Sequence, residues 1–130
     1  MKSHPSAQKT ASVLRALGQP TRVRIMLAIG EGEACVCHLE ASLKQRQAYI
    51  SQHLMALRRA GLLDTRRDGR FIFYRLREPE TLNLLRSAGH VAGVSTAELA
   101  AQTPAISECG CPNCASTRPG RLIPLESVPS

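Results

Sequence analysis

The chain has 130 residues, enough for one domain with a tail but for only a small core. It holds 17 Lys and Arg against 10 Asp and Glu, and the net charge of +7 favours a polyanionic partner. No apolar run reaches the ~18 residues of a membrane span, and residues 1–12 lack the apolar stretch of a secretory signal. We therefore expect a cytoplasmic protein without membrane contact, in which the five cysteines are thiols or metal ligands.

Two helices are predicted before the centre of the chain. Residues 1–9 are assigned to a flexible N-terminus, although helical periodicity begins at Ser6 and continues to Leu17. The second helix is predicted over about Pro20 to Ile29, because proline suits the first turn of a helix. Glycines end both helices.

Residues 34–63 predict two helices joined by a short polar turn. Ile50, Leu54 and Leu57 recur on one face of a helix expected over about residues 46–60, and a glycine follows it. The opposite face is largely polar. A short helix, a tight turn and a second helix with a polar face predict a helix-turn-helix, whose second helix commonly enters the DNA major groove.

The following segment predicts a β-hairpin. Asp68-Gly69 is a two-residue turn signal, and side chains alternate in character from Phe71 to Leu76. Arginines crowd the tip of the hairpin. Beside a helix-turn-helix, this basic hairpin favours a wing lying along phosphates over the alternative of a solvated edge strand.

The remainder predicts two helices and a tail. Pro79 opens a helix that glycines 89 and 93 interrupt, and the capping box that begins at Ser95 predicts a short helix through about Gln102. Residues 103–130 are rich in Pro, Ser, Gly and Cys and are expected to form a flexible tail. The predicted fold is therefore mainly α with a small β-hairpin wing: a winged helix-turn-helix domain over residues 10–102.

Polar and basic residues of the helix-turn-helix and the hairpin are the candidate DNA contacts. Gln pairs with adenine, Ser adapts to either partner, and an Ala methyl can meet the thymine methyl. The candidates for base contact are Gln47, Ala48, Tyr49, Ser51, Gln52 and His53. The candidates for phosphate contact, which fixes register without reading sequence, are Lys44, Arg46, Arg58, Arg59, Arg66, Arg67 and Arg70. His53 and Tyr49 each have an alternative role in packing, because they lie beside the apolar face.

Two groups of cysteines are the candidate metal ligands. Cys35 and Cys37 lie at the entrance of the first helix, where the macrodipole favours a thiolate. Cys109, Cys111 and Cys114 lie in CGCPNC, whose spacing lets three thiols wrap one ion. Thiolates select soft ions such as trivalent arsenic, Cd(II), Pb(II) or Zn(II). The alternatives are small buried side chains for the first pair, and a structural zinc or a redox pair for the tail group.

Three strings carry a resemblance to a known family: ALGQPTRVRIMLAI, CVCHL and QAYISQHLMALRRAGLLDTRRDGRFIFYRL. Over about residues 10–86 the chain resembles the ArsR/SmtB family of winged-helix, metal-responsive repressors. The resemblance implies a homodimer whose first and last core helices form the interface. It also implies repression by binding an inverted-repeat operator in double-stranded DNA, and release when metal binds.

Within this resemblance, Cys35-Val-Cys37 matches the Cys-Val-Cys-Asp-Leu motif of thiol-sensing members, with His38 in place of the Asp. Arsenite sensors of one type have a third cysteine where this chain has Glu40. Cadmium and lead sensors pair the helix cysteines with those of a distant segment, a role open here to residues 109–114. The Asp and His pattern that zinc sensors carry on the last helix is absent.

These features predict a repressor that leaves its operator when its thiols coordinate arsenite, antimonite, Cd(II) or Pb(II). The alternative is a redox-sensing or sulfur-species-sensing repressor in which the same cysteines form disulfides. No Ser/His/Asp arrangement, phosphate loop or paired acids stand out in the sequence. An enzyme is therefore not expected.

Overall fold

A computed structural model describes residues 5–102, which form six helices and three short strands. In chain order these are α1 (Pro5–Leu17), α2 (Pro20–Ile29), β1 (Ala34–Cys35), α3 (Val36–Leu43), α4 (Gln47–Arg59), β2 (Leu63–Asp68), β3 (Phe71–Leu76), α5 (Glu80–Val91) and α6 (Thr96–Ala100). The predicted fold class, mainly helical with a small wing, is confirmed. Helix α1 starts inside the segment assigned to a flexible N-terminus, and the predicted tail lies outside the described residues.

Helices α3 and α4 form the helix-turn-helix. Lys44 ends α3 in a left-handed conformation with φ 55° and ψ 42°, which turns the chain towards α4. Gly61 follows α4 with φ +80°, as its place in the sequence predicted. The Leu62 N–H donates to the Leu57 carbonyl at 3.0 Å, so the end of α4 is closed by the hydrogen bond typical of a Schellman motif.

The apolar face of α4 lies at the centre of the core. Ile50, Leu54 and Leu57 are each 0% exposed and belong to the same buried cluster as Ile25 of α2 and Leu39 of α3. This packing confirms the helical periodicity, and burial of such side chains contributes about 2 kcal/mol each. The polar face of α4 is consequently directed away from the protein.

The three strands form one antiparallel sheet in the order β1-β3-β2. Strands β2 and β3 make the predicted hairpin, but Asp68 pairs with Phe71, so the two central turn residues are Gly69 and Arg70 rather than Asp68 and Gly69. Gly69 has φ +61°, and a positive φ is what a two-residue hairpin turn requires of its first central residue. Strand β1 was not predicted, because two residues are too short to show an alternating pattern.

The C-terminal part differs from its prediction at one glycine. Gly89 lies inside α5 instead of interrupting it, because Leu99 of α6 packs there: a Cβ at Gly89 would lie 2.7 Å from Leu99 Cδ1. The predicted capping box is confirmed, since Ser95 Oγ accepts from the Glu98 N–H at 3.1 Å and Glu98 Oε2 accepts from the Ser95 N–H at 3.1 Å. Among the helices of residues 5–102, none has the length and apolarity needed to cross a membrane.

Candidate nucleic-acid interface and thiol segment

The outer surface of α4 brings together most of the predicted base-reading residues. Gln47, Ala48 and Gln52 are exposed, and Ser51 is half-buried. The predicted phosphate contacts also lie at exposed positions, in the turn before α4 and in its last turn: Lys44, Arg46, Arg58 and Arg59. The α4 surface thus has polar and methyl groups beside cations, which is the composition of a helix that enters the major groove.

His53 is placed as a packing histidine, the alternative to the base-reading role predicted for it. Only 7% of the residue is exposed, and Arg22 Nε donates to His53 Nδ1 at 3.0 Å. Because a guanidinium only donates, Nδ1 must be the unprotonated nitrogen. Burial, and secondly the charge of Arg22, lower the pKa of His53. The imidazole therefore joins α4 to α2 instead of facing solvent.

Tyr49 combines exposure with contacts inside the protein. It is 42% exposed, and its hydroxyl lies 3.2 Å from Thr21 Oγ1. Its ring packs edge-on against the His53 ring, with centroids 4.7 Å apart and planes at 86°. Tyr49 thus stands at the border between the exposed surface of α4 and its junction with α2.

At the wing, Arg66 is exposed, and its guanidinium forms an ion pair within the protein. Its Nε and Nη2 donate to both carboxylate oxygens of Glu33, with Nη2 to Oε1 at 2.7 Å, and its guanidinium lies 4.7 Å from the centre of the Phe73 ring. A bidentate pair occupies the fork that would otherwise meet a phosphate. Arg67 and Arg70 are exposed near the tip, as Arg66 is, and phosphate contact by all three stays a prediction.

Replacing Arg66 by Met should raise the pKa of the Glu33 carboxyl towards its ordinary value of 4.5. The hydrogen bonds from Arg66 are the largest cause of the lowered pKa of Glu33. Because the folded-state pKa is depressed, the ion pair contributes stability above the unfolded pKa and loses it as pH falls through the lower folded value. Carboxyl chemical shifts of Glu33 measured by NMR against pH test this, and Arg67→Met is the matched control. An unchanged Glu33 pKa in Arg66→Met would contradict the bidentate pair.

Cys35 and Cys37 lie at the start of α3, in different backbone conformations. Cys35 is the N-cap, with an extended backbone, and its Sγ accepts from the His38 N–H at 3.3 Å. Cys37 is already helical and half-buried. Cys35 is only 2% exposed and shares a small buried cluster with Phe73 of β3. Burial also lowers the pKa of His38.

The two thiols do not by themselves make a metal site with the other residues that the structure describes. Within residues 5–102, no group of three or more His, Cys, Asp or Glu side chains is arranged to hold a metal ion. Cys109, Cys111 and Cys114, the other predicted ligands, lie outside the described residues. The chemistry of two thiols in the first turn of α3 fits a soft ion that takes further donors from elsewhere.

Residues important to the site that sequence reasoning missed are Glu33, Arg22 and Thr21. Glu33 and Arg66 are 33 residues apart, and Arg22 and His53 are 31 apart. No local period or motif connects such pairs. Only their positions in the sequence could have drawn attention to them: Glu33 closely precedes the two cysteines, and Arg22 lies in the first turn of α2.

The helix-turn-helix, the three-stranded wing and the basic surface of α4 together define a winged-helix DNA-binding regulator. A family model described as "Bacterial regulatory protein, arsR family" matches residues 19–65. The biofilm growth-associated repressor of Agrobacterium fabrum is 41% identical over 81 residues, which are 62% of this chain and 69% of that protein. The chain belongs to the ArsR family. It is accordingly a DNA-binding transcriptional regulator and not an enzyme.

Two further similarities bear on the site. The arsenic resistance transcriptional regulator ArsR1 of Pseudomonas putida is 48% identical over 65 residues, which are 49% of this chain and about half (51%) of that protein. The crystal structure of the transcriptional repressor BigR from Xylella fastidiosa has a TM-score of 0.61 and 34% identity, and covers 65% of this chain and 87% of that one.

Proposed function

We propose that this chain is a metal(loid)-responsive repressor, which binds operator DNA as a homodimer and dissociates when its thiols coordinate a soft ion. The observation that carries the proposal is the position of Cys35 and Cys37. They open the first helix of the helix-turn-helix, and Cys35 belongs to the same sheet as the wing. The identity to ArsR1 of P. putida supports a metal(loid) as the inducer.

The chemistry of the donors limits the ion. Thiolate sulfur prefers arsenite, antimonite, Cd(II), Pb(II) and Zn(II) over hard cations such as Mg²⁺ and Ca²⁺. Cys35 and Cys37 supply two donors, and at least one more is needed for a stable site. We assign it to the tail group Cys109, Cys111 and Cys114, since Glu40 stands where a third local thiol would be.

Coordination would change the wing through β1. Cys35 Sγ is buried and caps α3, so an ion bound to it must draw the side chain out of that position. The backbone of Cys35 pairs with Phe73 in β3, and a shift of β1 is therefore transmitted to the hairpin. An ion lowers operator affinity only if it binds better to the conformation that fits the operator poorly.

On the operator, the exposed surface of α4 would read bases through Gln47, Ala48, Ser51 and Gln52. Lys44, Arg46, Arg58, Arg59, Arg67 and Arg70 would contact phosphates. The net charge of +7 suits this role, since each phosphate neutralised releases counterions and makes binding sensitive to salt.

A homodimer through α1 and α5 would cover apolar surface that one protomer leaves exposed. Leu14 of α1 is 51% exposed and Val91 of α5 is 87% exposed. On the α5 side, an apolar groove of about 740 Å³ runs between α2, α5 and α6, with Val23, Leu85 and Leu99 in its walls, and α1 does not line it. Patches of this kind on small domains are typical of interfaces.

Operator release in the presence of ions tests the proposal. We expect arsenite, antimonite, Cd(II) or Pb(II) to release the wild-type protein from a duplex that it selects from a random-sequence pool, as measured by fluorescence anisotropy. The variant in which Cys109, Cys111 and Cys114 are all Ser should need at least about 100-fold more ion, because loss of ligands costs more than the 10–100-fold typical of residues that only support a ligand. Release by a disulfide-forming oxidant but by none of the ions would favour the redox alternative and overturn the proposal.

A further inference from the structure

We propose that Arg22 and His53 are positioning residues, which fix the orientation of α4 against α1 and α2 and so direct its base-reading surface. The inference rests on the proposed role of α4 in reading DNA, and it is independent of the ion. It assigns to His53 a function that requires no contact with DNA.

One guanidinium connects three helices. Arg22, in the first turn of α2, donates from Nη1 to the carbonyl of Ala16 in the last turn of α1 at 3.0 Å. It donates from Nε to His53 Nδ1 on α4, also at 3.0 Å. Because the guanidinium is planar and rigid, its two hydrogen bonds hold their acceptors in one fixed geometry. The partly buried position of the group shields both hydrogen bonds from water.

A second contact lies beside the first. Thr21, the residue before Arg22, hydrogen-bonds Tyr49 with 3.2 Å between the hydroxyl oxygens. Tyr49 precedes His53 by one helical turn, and their rings are in edge-on contact. Two consecutive residues of α2 therefore form hydrogen bonds with α4 at two points along its axis. Two points of attachment fix the rotation of a helix as well as its distance.

Fixing His53 also fixes its exposed neighbour. Gln52 is adjacent to His53 in a regular helix, so its direction follows from that of the imidazole by a constant rotation of about 100°. His53 points into the α2 junction, and Gln52 is exposed. The hydrogen bond from Arg22 to His53 Nδ1 thus sets the direction in which the side-chain amide of Gln52 points. Bidentate readout of a base tolerates little misorientation of that amide.

The same contact joins the reading helix to a helix of the proposed dimer interface. Ala16 is buried at the end of α1, and its carbonyl is the second acceptor of Arg22. Any change in the angle of α1 is therefore transmitted by one side chain to α4. Assembly of the dimer would in this way set the orientation of both reading helices.

Discrimination between two duplexes tests the proposal. The probes are a labelled duplex that the wild-type protein selects from a random-sequence pool, and a scrambled duplex of the same length. We expect His53→Leu to bind the selected duplex about tenfold more weakly, as for loss of one buried hydrogen bond. Its affinity for the scrambled duplex should stay within about twofold, because the phosphate contacts remain.

Two matched pairs of variants separate positioning from folding. His53→Asn keeps an acceptor near the position of Nδ1 and should retain discrimination, whereas His53→Gln places its acceptor nearer that of Nε2 and should lose it. Arg22→Met should lose discrimination at least as strongly as His53→Leu, because it also loses the hydrogen bond to Ala16, and the double variant should be no worse than Arg22→Met alone. Arg15→Met removes an exposed cation of α1 and serves as the charge control.

Three outcomes would overturn the inference. If Arg22→Met lost the same affinity for both duplexes, Arg22 would be a phosphate contact. If the losses of affinity in the two single variants added up in the double variant, Arg22 and His53 would act independently. If His53→Asn and His53→Gln, both shown to be folded by circular dichroism, discriminated equally well between the two duplexes, the only role of His53 would be packing. If the wild-type protein selects no duplex at all, the proposed function is wrong. If it selects a duplex and the variants behave as listed above, only the positioning role is wrong.

Discussion

The protein with Cys35→Ser and Cys37→Ser is expected to bind the operator as tightly as the wild type and to stay bound when the ion is added. A serine hydroxyl is a poor ligand for soft ions, so the ion concentration needed for release should rise by about 100-fold or more. Serine is also a favoured N-cap, and the start of α3, where Cys35 Sγ now accepts from the His38 N–H, is preserved. Anisotropy titrations with arsenite and Cd(II) measure the effect.

The control for this prediction is Cys35→Ala, which removes the cap together with the thiol. If capping matters to the fold, this variant should lose about 1 kcal/mol of stability and begin to unfold at lower urea concentration than the serine variant. Release of the serine variant at the same ion concentration as the wild type would show that these thiols do not sense the ion. The proposed function would then have to place its site elsewhere.

Replacing Phe73 by Ala should lower the free energy of unfolding by about 3–5 kcal/mol. The ring is 1% exposed, and it packs in one buried cluster with Cys35 and lies beneath the guanidinium of Arg66. Its removal leaves a cavity under the wing and takes away the surface on which Arg66 stacks. Urea unfolding followed by circular dichroism measures the change.

Ile72 provides the matched control in the same strand. It precedes Phe73 but is 36% exposed, so Ile72→Ala should cost no more than about 1 kcal/mol. Equal destabilisation by the two substitutions would mean that the small cluster around Cys35 does not hold the sheet to α3. In that case the path proposed from the thiols to the wing would lose its physical basis.

Local patterns in the sequence predicted most of the helices. The spacing of Ile50, Leu54 and Leu57 defines α4 because a helix repeats every few residues, and burial of that face is an immediate consequence. Gly61 and the capping box at Ser95 mark helix ends through backbone geometry and local hydrogen bonds. The hairpin was predicted one residue out of place, since the turn signal alone did not decide which residues pair.

Those local patterns could not predict contacts between segments that are distant in the sequence. The pairs Glu33–Arg66 and Arg22–His53 each join two segments that only the folded chain brings together. The first pair engages an exposed candidate for phosphate contact, and the second places a candidate for base contact in a buried junction. Strand β1 was missed for a similar reason: two residues become a strand only through their partners in β3.

The pairing of β1 with β3 has a consequence for protein engineering. Sensor segments are attractive parts to exchange between relatives, in order to give one reading domain a new inducer. Residues 33–37, to which the proposed function assigns sensing, are not a separable part, because Glu33 pairs with Arg66 and Cys35 pairs with Phe73. A working chimera would have to transplant positions 66 and 73 together with the cysteines, so that the new segment keeps its contacts with both β2 and β3.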